Sequence, residues 1–172
     1  MEQTETKSVG RFELKRLLAY EGRVPVYLAV DPTHARNVAL KLVNLNGADA
    51  GARKEFERSV HLMEGLRHTN LCPVLEVGQI GELDYLAMAY IKGHSLSEIA
   101  KRKAVLQPNQ VALLVGKMAL AMHHMHRAGL RNGFLSLESV VIDTSGEPVI
   151  VDLGLARSFP ASGELDSNAP YQ

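Results

Sequence analysis

The stretch VIVDLGLAR, residues 149–157, runs from an apolar strand into Asp152-Leu153-Gly154, and its reading decides the fold. Taken alone, Asp-x-Gly is ordinary turn chemistry, or else a carboxylate able to hold Mg²⁺. The flanking chain has to choose between these. Just upstream, LESVVID (137–143) and PVIVDLG (148–154) predict a hairpin around Thr144-Ser145-Gly146. Before that hairpin lies RNGFLSLES (131–139), a loop that carries almost no reactive chemistry.

Further back, Pro108 opens a long helix on which Val111, Leu114, Val115, Met118, Met122 and Met125 form one stripe. Leu113 and Leu120 add a second stripe, so this helix needs cover from several directions. A shorter helix is predicted over Ser95–Lys103, with Ser95 as its cap and Glu98 at the capping-box offset. Ahead of Lys92-Gly93 the pattern is strand-type. RFELKRLL (11–18), VPVYLAV (24–30) and NVALKLV (37–43) are separated by the turn stretches YEGR and DPTHAR and predict an antiparallel meander.

A helix follows in GARKEFERSVHLMEGL (51–66), where Phe56, Val60 and Met63 recur at helical spacing and place Ser59 on the same face. Two more strands, PVLEVGQ (73–79) and LDYLAMAYI (83–91), flank the turn IGE. Five strands with one inserted helix, then helices, then a hairpin, make an α+β chain rather than a doubly wound sheet.

Composition narrows the function classes. The 172 residues are 46% hydrophobic, enough for a real core, and 19 basic residues cancel 19 acidic ones. That balance gives no sign of a nucleic-acid or anionic-membrane partner and favours a protein or a small molecule. The single cysteine, Cys72, excludes an internal disulfide and is expected to be a buried thiol in a reducing compartment. No signal peptide and no run of about 18 apolar residues are evident, so a cytoplasmic domain is expected. His123, His124 and His126 crowd one helix end but point to different faces and read as structural or solvent-facing.

VALK (38–41) puts Ala39 and Lys41 on one strand face. A strand lysine usually snorkels to water, yet this one precedes RHTN (67–70), AMAYIKG (87–93), MHRAGL (125–130) and VDLG (151–154), in that order. In this succession the chain resembles the eukaryotic-type protein kinases, in the flavour of the bacterial serine/threonine enzymes, from about Val9 to Arg157. The resemblance implies a kinase-like fold whose domains are an unstructured N-terminus (1–8), a five-stranded N-lobe with one helix (9–91), a partial helical C-lobe (92–159) and an activation-segment-like tail (160–172). A hinge would span Met88 to Gly93, and the chain would stop before the A-P-E segment.

The same resemblance assigns cofactor-binding positions. Lys41 would grip phosphate; Val26, Ala39 and Val141 would enclose adenine, with Met88 and Tyr90 beside it; and Asp152 would be the metal ligand. Met63 and Leu153 fall where kinases stack a hydrophobic column. Other working positions have lost their chemistry. Ser59 replaces the helix glutamate that pairs with the lysine, with Glu55 one turn earlier on the same face. In the H-R-D-L-x-x-x-N pattern, Asn132, Gly133 and Phe134 replace the histidine, the arginine and the aspartate base, Ser136 stands where a lysine neutralises phosphate, and Ser139 replaces the metal-binding asparagine. Ala19, Glu21 and Val24 fall on the three glycines of the phosphate loop, where Glu21 would repel a triphosphate.

Losing a general base alone costs about 10²–10⁴ in rate, so the expectation is a pseudokinase with no catalytic residues, unless Asp143, Glu138 or another carboxylate takes the place of the base. Its partner would be a protein or an adjoining domain, with a second copy docking on the uncovered Val111–Met125 helix as one form of this. No cofactor is expected. The alternatives are a switch that binds ATP and Mg²⁺ weakly through Lys41 and Asp152, a cleft in which those two residues bond each other, a divergent serine/threonine kinase, and another ATP-dependent transferase.

Overall fold

The computed structural model describes residues 7–21, 24–102, 107–130 and 135–154. These form two compact units. One comprises 7–56 and Val74–Tyr90; the other comprises Glu57–Pro73 and 91–154.

The first unit is a six-stranded antiparallel sheet in the order β1-β2-β3-β4-β6-β5. Its strands are β1 (Ser8–Val9), β2 (Phe12–Glu21), β3 (Val24–Asp31), β4 (Arg36–Asn44), β5 (Val74–Ile80) and β6 (Leu83–Ala89). The five strands expected from the sequence are all present. The sixth, β1, takes in Ser8, a residue assigned above to the unstructured N-terminus. Gly10 makes it by adopting φ +54°, which turns the chain so that Val9 faces Phe12. Helix α1 (Ala50–Glu64) lies between β4 and β5 in sequence; Phe56, Val60 and Met63 are buried.

Side chains alternate across the sheet, so the register sorts them into two faces. One face packs Phe12, Ala29, Val38, Leu40, Leu42, Tyr85 and Ala87 into a core cluster with Val9, and the Phe12 and Tyr85 rings meet edge-on with centroids 5.2 Å apart. The other face carries Val26, opposite Lys41, and Ala39, opposite Met88. All residues of β4 from Val38 to Val43 are buried, which is why this strand reads as a continuous apolar run broken only by Lys41.

A polar network joins the β1–β2 and β3–β4 turns to strands β5 and β6. Asp31, with no exposed surface, accepts from Arg11 Nε at 3.0 Å and lies 2.7 Å from His34 Nδ1 and 3.6 Å from Arg36 Nε. Arg11 also engages Glu76, which accepts the Tyr85 hydroxyl at 2.6 Å.

The second unit contains β7 (Gly93–Ser95), α2 (Leu96–Lys101), α3 (Pro108–Arg127), β8 (Val140–Asp143) and β9 (Pro148–Ile150), with the three strands antiparallel in the order β7-β8-β9. The sequence reading missed β7. It pairs so closely with β8 that a Cβ on Gly93 would lie 2.0 Å from the Ile142 carbonyl oxygen, so only glycine fits. The capping box at Ser95 is present as expected: Glu98 N–H donates to the Ser95 hydroxyl at 3.1 Å and Ser95 N–H to Glu98 at 2.8 Å. The hairpin turns at Gly146, with φ +87°. Cys72 is buried. None of the described helices is long and apolar enough to cross a membrane.

Helix α3 packs against β9 with only part of its apolar surface. Ala121 and Met125 have no exposed surface, whereas Leu113 is 68% and Leu120 65% exposed. Met125→Ala is therefore expected to cost about 2–5 kcal/mol in urea unfolding, whereas Leu113→Ala should stay within about 0.5 kcal/mol of the parent. Equal losses at both positions would mean that Leu113 is covered in solution.

Candidate functional site

In the first unit the site begins with a register that the sequence does not display. Pairing of β2 with β3 shifts twice, between Leu14 and Arg16 and between Leu17 and Ala19, so that Glu13 faces Val30 but Glu21 faces Val24. The two shifts carry Ala19 opposite Val26 and Glu21 opposite Val24, on the same sheet face as Val26, Ala39 and Lys41. Glu21 is buried, and its carboxylate contacts the Lys41 amino group, which is itself only 2% exposed. The expectation that Glu21 would simply present a charge to an incoming phosphate gives way to a buried ion pair. Val26, Ala39 and Met88 are buried on the same face, and Tyr90 is half-buried just beyond β6.

In the second unit the end of β9 is held by the RHTN segment. Asn70 is buried, donates its side-chain amide to the Pro148 carbonyl at 2.7 Å, and accepts from Ile150 N–H at 2.9 Å through its own carbonyl. Cys72 N–H completes the connection to the Ile150 carbonyl at 2.9 Å. His68 Nδ1 accepts from Asn70 N–H at 3.0 Å, which requires a neutral ring nitrogen there. Burial, with His124 nearby, holds the His68 imidazole below its usual range, in keeping with that role. Sequence reasoning used RHTN as a landmark and missed Asn70 as a positioning residue. An asparagine just before a buried apolar run was the available signal.

That anchoring delivers Asp152, which is buried and accepts from Gly154 N–H at 2.8 Å through Oδ1. This is the turn chemistry noted for Asp-x-Gly, with Gly154 at φ +82°. Leu153 is buried beside it. Ser139 carries its carbonyl to Val151 N–H at 2.8 Å, and its buried hydroxyl accepts from Ser136 N–H at 2.9 Å while lying 2.9 Å from the Ser136 hydroxyl. The two serines thus bond each other in a local turn. A hydroxyl so engaged supplies no positive charge to a phosphate. Val141 is half-buried in β8, opposite Val149, and Ser59 is half-buried on α1. Asn132 and Phe134 lie outside the described residues.

Two carboxylates near position 134 in sequence have structural duties. Asp143 Oδ1 accepts from Ser145 N–H, the Ser145 hydroxyl and Glu147 N–H at 2.6–2.9 Å, and these bonds, the Ser145 hydroxyl foremost, hold its carboxyl below the usual range. Glu138 is exposed; its own backbone amide and then the Ser97 and Ser136 hydroxyls lower it likewise. Both are set up to accept hydrogen bonds as anions, and neither is tuned toward the neutral pH range where a general base works best. In the group with metal-ligand spacing among the described residues, Asp31, His34 and Glu76, both carboxylates already hold the Arg11 guanidinium.

The family's ATP and Mg²⁺ would meet these residues on poor terms. On the positions that the kinase resemblance implies, Lys41 would take phosphate but contacts the Glu21 carboxylate, and Ser139 would stand at a metal ligand but bonds Ser136.

Comparison with known proteins agrees with the order of the motifs. A profile of the protein kinase domain family matches residues 21–170. The serine/threonine-protein kinase PrkC of Bacillus subtilis is 24% identical over 161 residues, covering 93% of this chain and 25% of that protein. The serine/threonine-protein kinase PknD of Chlamydia trachomatis is 33% identical over 159 residues, covering 85% of this chain and 17% of its own length. The chain therefore spans a quarter or less of these curated relatives. Among solved structures, the kinase domain of PknI from Mycobacterium tuberculosis superposes with a TM-score of 0.75 at 25% identity, covering 91% of this chain and 63% of that one.

Proposed function

Because the chain belongs to the protein kinase domain family, we propose that it is a member in which the fold has outlived phosphoryl transfer, a pseudokinase that works by binding a protein partner or an adjoining domain. The observation that carries this reading is the buried contact between Glu21 and Lys41. It commits the one strongly cationic phosphate ligand of the family pattern to an internal anion. The substitutions support the reading from the other side: Ser59, Phe134, Ser136 and Ser139 replace a carboxylate, a base, a cation and a metal ligand. With the base absent, about 10²–10⁴ of the usual rate goes, and further losses follow at each of the other positions.

The protein-binding half of the reading draws on α3, where Leu113 and Leu120 stand exposed and the charged residue between them in sequence, Lys117, is bonded to Glu147. Apolar side chains arranged so are suited to cover by another polypeptide segment, from a neighbouring domain or from a second copy.

The deciding experiment follows label from γ-labelled ATP, with Mg²⁺ or Mn²⁺, into the protein itself and into a generic basic protein acceptor. Incorporation is expected to match that of Lys41→Met within error. Incorporation above that background, lost in both Lys41→Met and Asp152→Asn, would overturn the proposal.

A further inference from the structure

We propose that Glu21 is a built-in occupant of the phosphate position on the sheet, an intramolecular anion that locks Lys41 and hides a latent polyphosphate-binding site. The inference rests on the inactive-domain reading above and goes further, because it assigns the exclusion of nucleotide phosphate to one side chain.

Three observations carry it. The register puts the two residues on one face: Glu21 is opposite Val24 on β3, and Lys41 is opposite Val26 two residues along the same strand. Both are buried, Lys41 at 2% and Glu21 at 8% exposure, so their attraction is little screened and neither head group is left to water. The chemistry also matches. Lys41 projects three donors from its ammonium, and a carboxylate offers anionic oxygens to such a donor much as a phosphate does.

A second feature makes the site latent rather than destroyed. Lys41 is retained, and around it Val26, Ala39 and Met88 keep the apolar face against which a flat ring would pack. The β2–β3 hairpin retains its pairing up to Glu21 and Val24. What stands at the lysine is therefore a side chain on an otherwise continuous strand, and shortening that side chain takes its carboxylate away from the amino group and lets an external anion approach.

The test uses the whole chain and two probes, ATP without Mg²⁺ and inorganic tripolyphosphate, in calorimetric titrations. The parent protein should not saturate with either by about 1 mM, a free energy weaker than about −4 kcal/mol. Glu21→Gly should bind both at least about tenfold more tightly, and the gain should vanish in Glu21→Gly/Lys41→Ala. Adenosine, which has no phosphate, should bind the parent and Glu21→Gly alike. If Glu21→Gly does not melt cooperatively, Glu21→Gln keeps the side-chain length and the strand, removes the charge, and is titrated in its place.

A folded variant with unchanged affinity for both probes, or a gain that survives loss of Lys41, would overturn the lock while leaving the inactive-domain reading standing. Label transfer by the parent in the γ-ATP assay would overturn that reading by a separate measurement.

Discussion

Arg11→Ala is expected to lower the unfolding free energy by about 3 kcal/mol at pH 7, a large share of the stability of a small domain. Arg11 is one-third exposed, and its own loss of packing over the Phe12 ring, 4.6 Å from guanidinium to centroid, is modest. The larger effect is on what it leaves behind. Asp31 has no exposed surface and would keep only His34 at 2.7 Å and Arg36 at 3.6 Å, while Glu76 would keep the Tyr85 hydroxyl. A buried anion deprived of its main partner costs more than the pair contributed, because water cannot reach it.

The pH dependence has a definite sign. Arg11 is the leading cause that holds both the Asp31 and the Glu76 carboxyls below their usual range. Groups whose folded pKa is depressed contribute stability that is fully present above the unfolded value, about 4, and is lost progressively below it as pH falls through the folded one. The gap between parent and Arg11→Ala should therefore be full above about pH 5 and shrink below about pH 4. Urea unfolding at pH 7 and pH 3.5 checks this; a gap that stays constant would assign the loss to packing instead.

Lys41→Met should also cost about 3 kcal/mol, although a methionine fills a similar volume on an apolar face. The loss comes from the Glu21 carboxylate, left buried after its cation is removed. Glu21→Gln removes that anion, so the double variant should be more stable than the sum of the two single losses implies, with a coupling of about 1–3 kcal/mol. Because the pair is buried, the coupling should persist at about 1 M salt, where exposed pairs are screened within about 3 Å. Additive losses would mean that the two side chains act independently in solution.

The strands of the sheet were legible because β-branched alternation between turn-forming residues is a local signal, and so was the Ser95 cap, whose two bonds span only three residues. β7 was not legible: Gly93-His94-Ser95 has no strand propensity and becomes a strand only because β8 is there to pair with it. Asn70 looked like a landmark because its bonds reach 78 residues ahead, to Pro148. The candidate site was readable only as residue types at motif positions: Lys41 and Asp152 are ionisable, whereas Ser59, Ser136 and Ser139 are not the ionic groups that the kinase resemblance implies there.

The linear order of residues was enough to determine the family and the main strands and helices, because each depends on residue identity at a fixed offset. Tertiary structure alone decided where Glu21 sits. Two bulges in β2 move its pairing by two residues, which leaves Glu21 on the face it would have by alternation but sets it opposite Val24, two residues along from Val26, the partner of Lys41; that position along the strand, and with it the difference between a repelling charge and a buried partner, lies in long-range register that no local pattern encodes.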